Sequence, residues 1–134
     1  MPDTGVAGQV ESEAEAPGYD FKNLTTWQVA MDLVDRVYAL TQSFPRHELY
    51  GLAPQMQRAA VSVPSNIAEG HAKDTRPEYL RGLMLARGSL AELETQLIMA
   101  VRVKYVPADA PIFVSLKRCY RLLHGLIASV RRRT

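Results

Sequence analysis

The chain is poor in the residue types that announce chemistry. It has one cysteine, Cys119, in 134 residues, so no internal disulfide can form. A single free thiol fits a reducing, cytoplasmic setting. Aromatics make up 7% of the chain, and no uncharged apolar run reaches the roughly 18 residues of a membrane span. The N-terminus lacks the basic start and apolar centre of a secretion signal. No period-2 alternation marks a strand. The glycines at 51, 70, 82, 88 and 125 are scattered and form no phosphate-cradling loop. His47, His71, His124 and Cys119 lack the spacing of metal ligands. These absences favour a soluble domain with no membrane contact, no metal and no cofactor.

What is present is helical. Hydrophobic residues form 47% of the chain and charged residues 22%, as in a globular protein of one domain. Residues 1–18 carry Asp3, Glu11, Glu13 and Glu15 with no base, and have almost nothing to bury. They read as a disordered acidic tail ahead of a domain at 19–134. The tail's charge of −4 leaves +6 on the remainder, a balance compatible with a polyanionic partner.

Four segments show apolar residues at steps of three and four. Trp27, Ala30, Met31, Val34, Val37 and Tyr38 form the first, with Thr25 or Thr26 as N-cap and a stop before Phe44-Pro45. Leu52, Met56, Ala59, Ala60, Val63 and Ile67 form the second, with Gly70 as its terminating residue. Thr75-Arg76-Pro77-Glu78 resembles a capping box that starts the third. Its stripe of Tyr79, Leu83, Ala86, Leu90, Leu93, Leu97, Ala100 and Val101 predicts a helix to about Lys104. A fourth begins at Asp109-Ala110-Pro111, with Ile112, Leu116, Leu123, Ile127 and Val130 inward. Short connections between long amphipathic helices predict an all-α, antiparallel up-down-up-down four-helix bundle. The third helix carries a second apolar set, Leu80, Met84, Ala91 and Ile98. Either that helix is more central than its neighbours or the set is a subunit interface.

The stretch RAAVSVPSNIAEG (58–70) interrupts an otherwise plain helical pattern. Pro64 removes the amide that would bond to Ala60 and is expected to bend the helix. Ser62 and Ser65 can cover freed carbonyls locally. Gln55, Arg58, Ser62, Ser65, Asn66 and Glu69 gather on one polar stripe of short hydroxyls and an amide between an Arg and a Glu. The stripe reads either as a solvated face or as a packed joint between helices or subunits, held by Arg58, Asn66 and Glu69. A serine nucleophile there has only Glu69 on its face and lacks a base. Gly88, in mid-helix, suggests close backbone approach, and Glu92 is a candidate partner for Arg58. No catalytic constellation emerges, so the chain does not read as an enzyme.

The basic residues concentrate at the other end. Residues 107–134 hold Lys117, Arg118, Arg121, Arg131, Arg132 and Arg133 against Asp109 alone, a balance of +5. Lys117, Arg121 and His124 recur at steps of four and three on one face. Either these cations are a solvated face that complements the helix C-terminus, or they contact nucleic-acid phosphates.

The segments FKNLTTWQVAMDLV, FPRHELYGLAPQMQRAAVSVPSNIAEG, YLRGLMLARGSLAELETQLIMA and LLHGLIASV resemble a known family over about residues 20–130. The family is the four-helix-bundle proteins encoded within intervening sequences of bacterial 23S ribosomal RNA genes. The resemblance implies an antiparallel four-helix bundle that assembles as a homopentameric ring. A related group, the accessory variability proteins of diversity-generating retroelements, shares the bundle and implies binding of nucleic acid and of a reverse transcriptase. The acidic tail is not part of the family pattern. Two functions are therefore expected from this chain. One is binding of nucleic acid, RNA above all, through the fourth helix. The other is a protein-interaction scaffold that docks a partner such as a polymerase.

Overall fold

The computed structural model describes residues 20–133, so the acidic tail expected at 1–18 lies outside the described residues. Four helices form: α1 (Thr25–Thr41), α2 (Leu52–Ala72), α3 (Arg76–Arg102) and α4 (Ile112–Arg132). Short 3-10 turns at Asp20–Asn23 and Arg46–Glu48 precede α1 and α2, and no strand occurs among the described residues. Each helix packs against its neighbour in the chain, and α1 also packs against α4, which closes a four-membered ring of contacts. None of the four is long and apolar enough to cross a membrane.

The apolar stripes meet in one core. Leu33 and Val37 of α1, Met56, Val63 and Ile67 of α2, Leu83, Leu90, Leu93 and Leu97 of α3, and Leu116, Leu123 and Val130 of α4 are essentially solvent-free. Cys119 joins them, one turn from Leu116 on the inward face of α4. Burial pushes its thiol up to about 11, so it behaves as a small apolar side chain and not as a nucleophile. Met31 and Tyr38 fall outside the core at 39% and 42% exposure, because Val29 and Leu33 take the inward positions of α1.

Several helix ends differ from the sequence expectation. The N-cap of α1 is Leu24, with extended backbone and no side-chain cap, whereas Thr25 and the buried Thr26 lie within the first turn. The expected Thr75 cap of α3 is present, its Oγ1 accepting from the Glu78 amide at 3.4 Å. At α2 the cap comes from the preceding turn, where Glu48 Oε1 accepts from the Leu52 amide at 2.9 Å. A carboxylate there also complements the positive end of the helix.

Gly70 does not terminate α2, which runs on to Ala72. The left-handed residue that follows is Asp74, at φ 60°. Lys104, at φ 72°, plays the same part after α3. There the Lys104 amide bonds Val101 O at 3.0 Å and the Tyr105 amide bonds Ala100 O at 2.8 Å, a complete Schellman turn built without glycine. Tyr105 then reaches across the end of the bundle. Its hydroxyl donates to Glu48 Oε2 at 2.8 Å and accepts from His47 Nε2 at 3.0 Å, tying the α3–α4 connection to the α1–α2 connection.

Candidate nucleic-acid interface and the seam between α2 and α3

The fourth helix divides cleanly. Leu116, Cys119 and Leu123 face the core, and Lys117, Arg118, Arg121 and His124 are exposed. Beyond the buried Val130, Arg131, Arg132 and Arg133 are exposed as well. Among the described residues none of these six Lys and Arg side chains forms an ion pair with a carboxylate. The nearest polar contact is Arg131 Nη2 to Met84 Sδ at 3.7 Å, which leaves the charge uncompensated. Tyr120 lies half-buried beside this face, its ring centroid 5.7 Å from that of His124. Its phenol is raised by burial first and by the nearby Glu94 second.

The seam is narrower than the polar stripe suggests. Ser62 of α2 and Ser89 of α3 share a hydrogen bond between their hydroxyls, and Asn66 Nδ2 donates to Ser62 O at 2.8 Å. Ser65 Oγ bonds Val61 O at 2.8 Å within α2. Ser62 thus serves the helix contact instead of covering a carbonyl freed by Pro64. Pro64 itself is buried, away from the polar stripe, and α2 continues through it. Arg58 and Glu92 are both exposed and share a cleft of 270 Å³ with Gln55 and Ser62, yet they form no ion pair. Glu69 is exposed and likewise makes no ion pair among the described residues.

Gly88 is not the point of close approach, since a Cβ there would meet nothing within 4 Å. That role belongs to Gly70 and Gly82, where an added Cβ would lie 2.8–2.9 Å from the partner glycine's Cα. The signal existed in the sequence. Gly70 follows Val63 and Ile67 in helical phase, and Gly82 precedes Ala86 by four, so both glycines sit on inward stripes. His71 lies beyond the stop expected at Gly70, yet it is helical. It lies in the last turn of α2, its ring edge-on to Tyr79 at 5.1 Å and its Nε2 3.7 Å from Asp20 Oδ1.

The second stripe of α3 is not absorbed by the single-chain core. Leu80 is half-buried, whereas Met84, Ala91 and Ile98 are exposed, joined by Leu85 and Met99 at 47% and 50% exposure. Among the described residues Ser62 and Ser65 have hydroxyl, amide and carbonyl partners and no hydrogen-bonded base. No group of three His, Cys, Asp or Glu side chains gathers as metal ligands would among the described residues.

Comparison with curated proteins found no match. A family model described as 23S rRNA-intervening sequence protein matches residues 22–127, which takes in α1 to α3 and all but the end of α4, and leaves out Arg131–Arg133. The chain, an all-α protein of four packed helices, belongs to the 23S rRNA-intervening sequence protein family.

Proposed function

We propose that this protein is a non-enzymatic, oligomeric bundle that binds nucleic acid, RNA in particular, through the outer face and end of α4. One observation carries the reading: Lys117, Arg118, Arg121, Arg131 and Arg132 on α4 and Arg133 just beyond it are exposed, and among the described residues no carboxylate pairs with any of them. A row of unpaired cations on a rigid element suits phosphate contacts that release counterions, with no need for base readout. Titrating a labelled RNA oligonucleotide across a series of salt concentrations tests it, since the affinity is then steeply salt-dependent and falls when the α4 bases are removed.

The bundle is read as antiparallel, up-down-up-down. The pairings Gly70 with Gly82 and Ser62 with Ser89 support this, because residue numbers rise on α2 as they fall on α3. We also propose a homo-oligomer, a pentameric ring being favoured, with the exposed apolar set of α3 as part of the subunit contact. In such a contact Arg58, Glu69 and Glu92 find charge partners across the interface that they lack among the described residues of one chain. A cytoplasmic location accords with the single buried thiol.

The exposed Met84, Leu85, Ile98 and Met99 also favour a second reading, a scaffold that docks a protein partner such as a reverse transcriptase. In that case the α4 bases serve solubility alone, and their removal leaves partner capture intact.

A further inference from the structure

The turn between α2 and α3 brings together polar side chains from α2, α3 and the residue that follows α4. α3 is 27 residues long and begins at Arg76, so its positive end lies at this turn. Thr75 Oγ1 takes the Glu78 amide, the Tyr79 amide bonds Thr75 O, and Pro77 has no amide, which leaves the Arg76 amide as a donor. A helix end alone specifies nothing, but here two buried side-chain atoms stand unsatisfied beside it. Tyr79 is only 9% exposed and its hydroxyl has no hydrogen-bond partner among the described residues. His71 Nδ1 is in the same condition, while the other ring nitrogen faces Asp20 at 3.7 Å. Buried polar atoms without partners are rare in native proteins, and each calls for a physical reason.

Both side chains line a cleft of 220 Å³ together with Arg76 from α3, Arg133 just after α4, and Asp74 from the turn. Burial raises the Tyr79 phenol above its ordinary value, Arg133 nearby opposes that rise, and the Asp20 carboxylate adds to it. Among the described residues neither Arg76 nor Arg133 pairs with a carboxylate. Two guanidinium groups and a phenol thus line a space of roughly seven water volumes at the N-terminus of α3. That donor set matches a tetrahedral dianion with several terminal oxygens, and planar guanidinium groups are suited to phosphate. Asp74 at the same cleft supplies an acceptor for a hydroxyl on whatever carries the phosphate.

We infer that this cleft binds a phosphomonoester group. It lies where the basic end of α4 terminates, so a strand that runs along α4 ends with its terminal phosphate in the cleft. This source rests on the nucleic-acid reading above, whereas the cleft's affinity for a phosphomonoester does not. The same chemistry is offered by a free mononucleotide.

Two matched RNA oligonucleotides, one with a 5′-phosphate and one with a 5′-hydroxyl, test the inference against the full chain, together with titrations of inorganic phosphate and adenosine monophosphate followed by calorimetry. The phosphorylated strand binds roughly tenfold more tightly, as one charge-assisted contact allows. Tyr79→Phe and Arg76→Gln abolish that advantage, and Lys117→Ala weakens both strands alike. Tyr79→Phe also serves as the folding control. It deletes an orphaned hydroxyl, so its thermal midpoint stays at or above that of the wild type. If neither strand binds but adenosine monophosphate does, and Tyr79→Phe abolishes it, the cleft stands and the strand-binding reading falls. Equal affinity for the two strands with no binding of either small phosphate overturns the inference. So does phosphate binding that Tyr79→Phe and Arg76→Gln leave unchanged.

Discussion

A methyl group added at Gly82 meets Asn66 O at 2.5 Å and Gly70 Cα at 2.8 Å, both backbone atoms that have nowhere to move. At Gly88, two turns along the same helix, it meets nothing within 4 Å. Gly82→Ala is therefore expected to destabilise the protein by about 1–3 kcal/mol as overpacking outweighs the gain in helix propensity. Gly88→Ala stabilises it by about 1 kcal/mol, and urea unfolding of both variants checks the pair. The contrast shows what the sequence makes legible at single positions. Apolar positions were readable because burial follows helical phase, and most inward residues of α2, α3 and α4 are buried as expected. A glycine's purpose is not readable in the same way, because it depends on how near a second backbone comes. Ser89 was missed for a related reason: one hydroxyl has no periodicity, and its partner Ser62 is 27 residues away.

Helix ends carry the larger departures from expectation, since they are decided by neighbouring turns as much as by local residue type. The capping signal at Thr75 is local, and it held. The start of α2 depends on Glu48, whose carboxyl the Leu52 amide first and the Tyr105 hydroxyl second hold below the usual carboxylate range. A group whose pKa is depressed on folding contributes stability at pH above its unfolded value and loses it as pH falls through the folded one. Glu48→Gln is thus less stable than the wild type near neutral pH. The gap closes on acidification below the ordinary carboxylate range, as urea midpoints at about pH 7 and about pH 3 should report. After α3 the left-handed Lys104 occupies a position where a side chain costs about 1 kcal/mol and glycine does not. Lys104→Gly is expected to raise stability by about that amount in the same assay, with the Tyr105 contacts to Glu48 and His47 retained.

At the scale of the molecule, the four stripes of apolar residues specify four helices and one core, and membership of the intervening-sequence protein family agrees with that architecture. The surfaces are less legible, because exposure decides their meaning. Met84 and Ile98 could have been core or surface from spacing alone, and they turn out to be surface. Light scattering on the purified protein tests the assembly. Five copies of a 14.9 kDa chain give about 75 kDa, whereas a species near 15 kDa removes the ring and leaves the apolar face of α3 to another partner.

The proposal that α4 meets nucleic-acid phosphates is tested most directly by the salt dependence of RNA affinity, measured by fluorescence anisotropy for the wild type and the double variant Lys117→Ala/Arg121→Ala. The account predicts a linear fall of log affinity with log salt, weaker binding by the double variant, and a slope reduced by roughly 2. Absence of binding at low salt, or binding that the loss of both bases leaves unchanged, contradicts it.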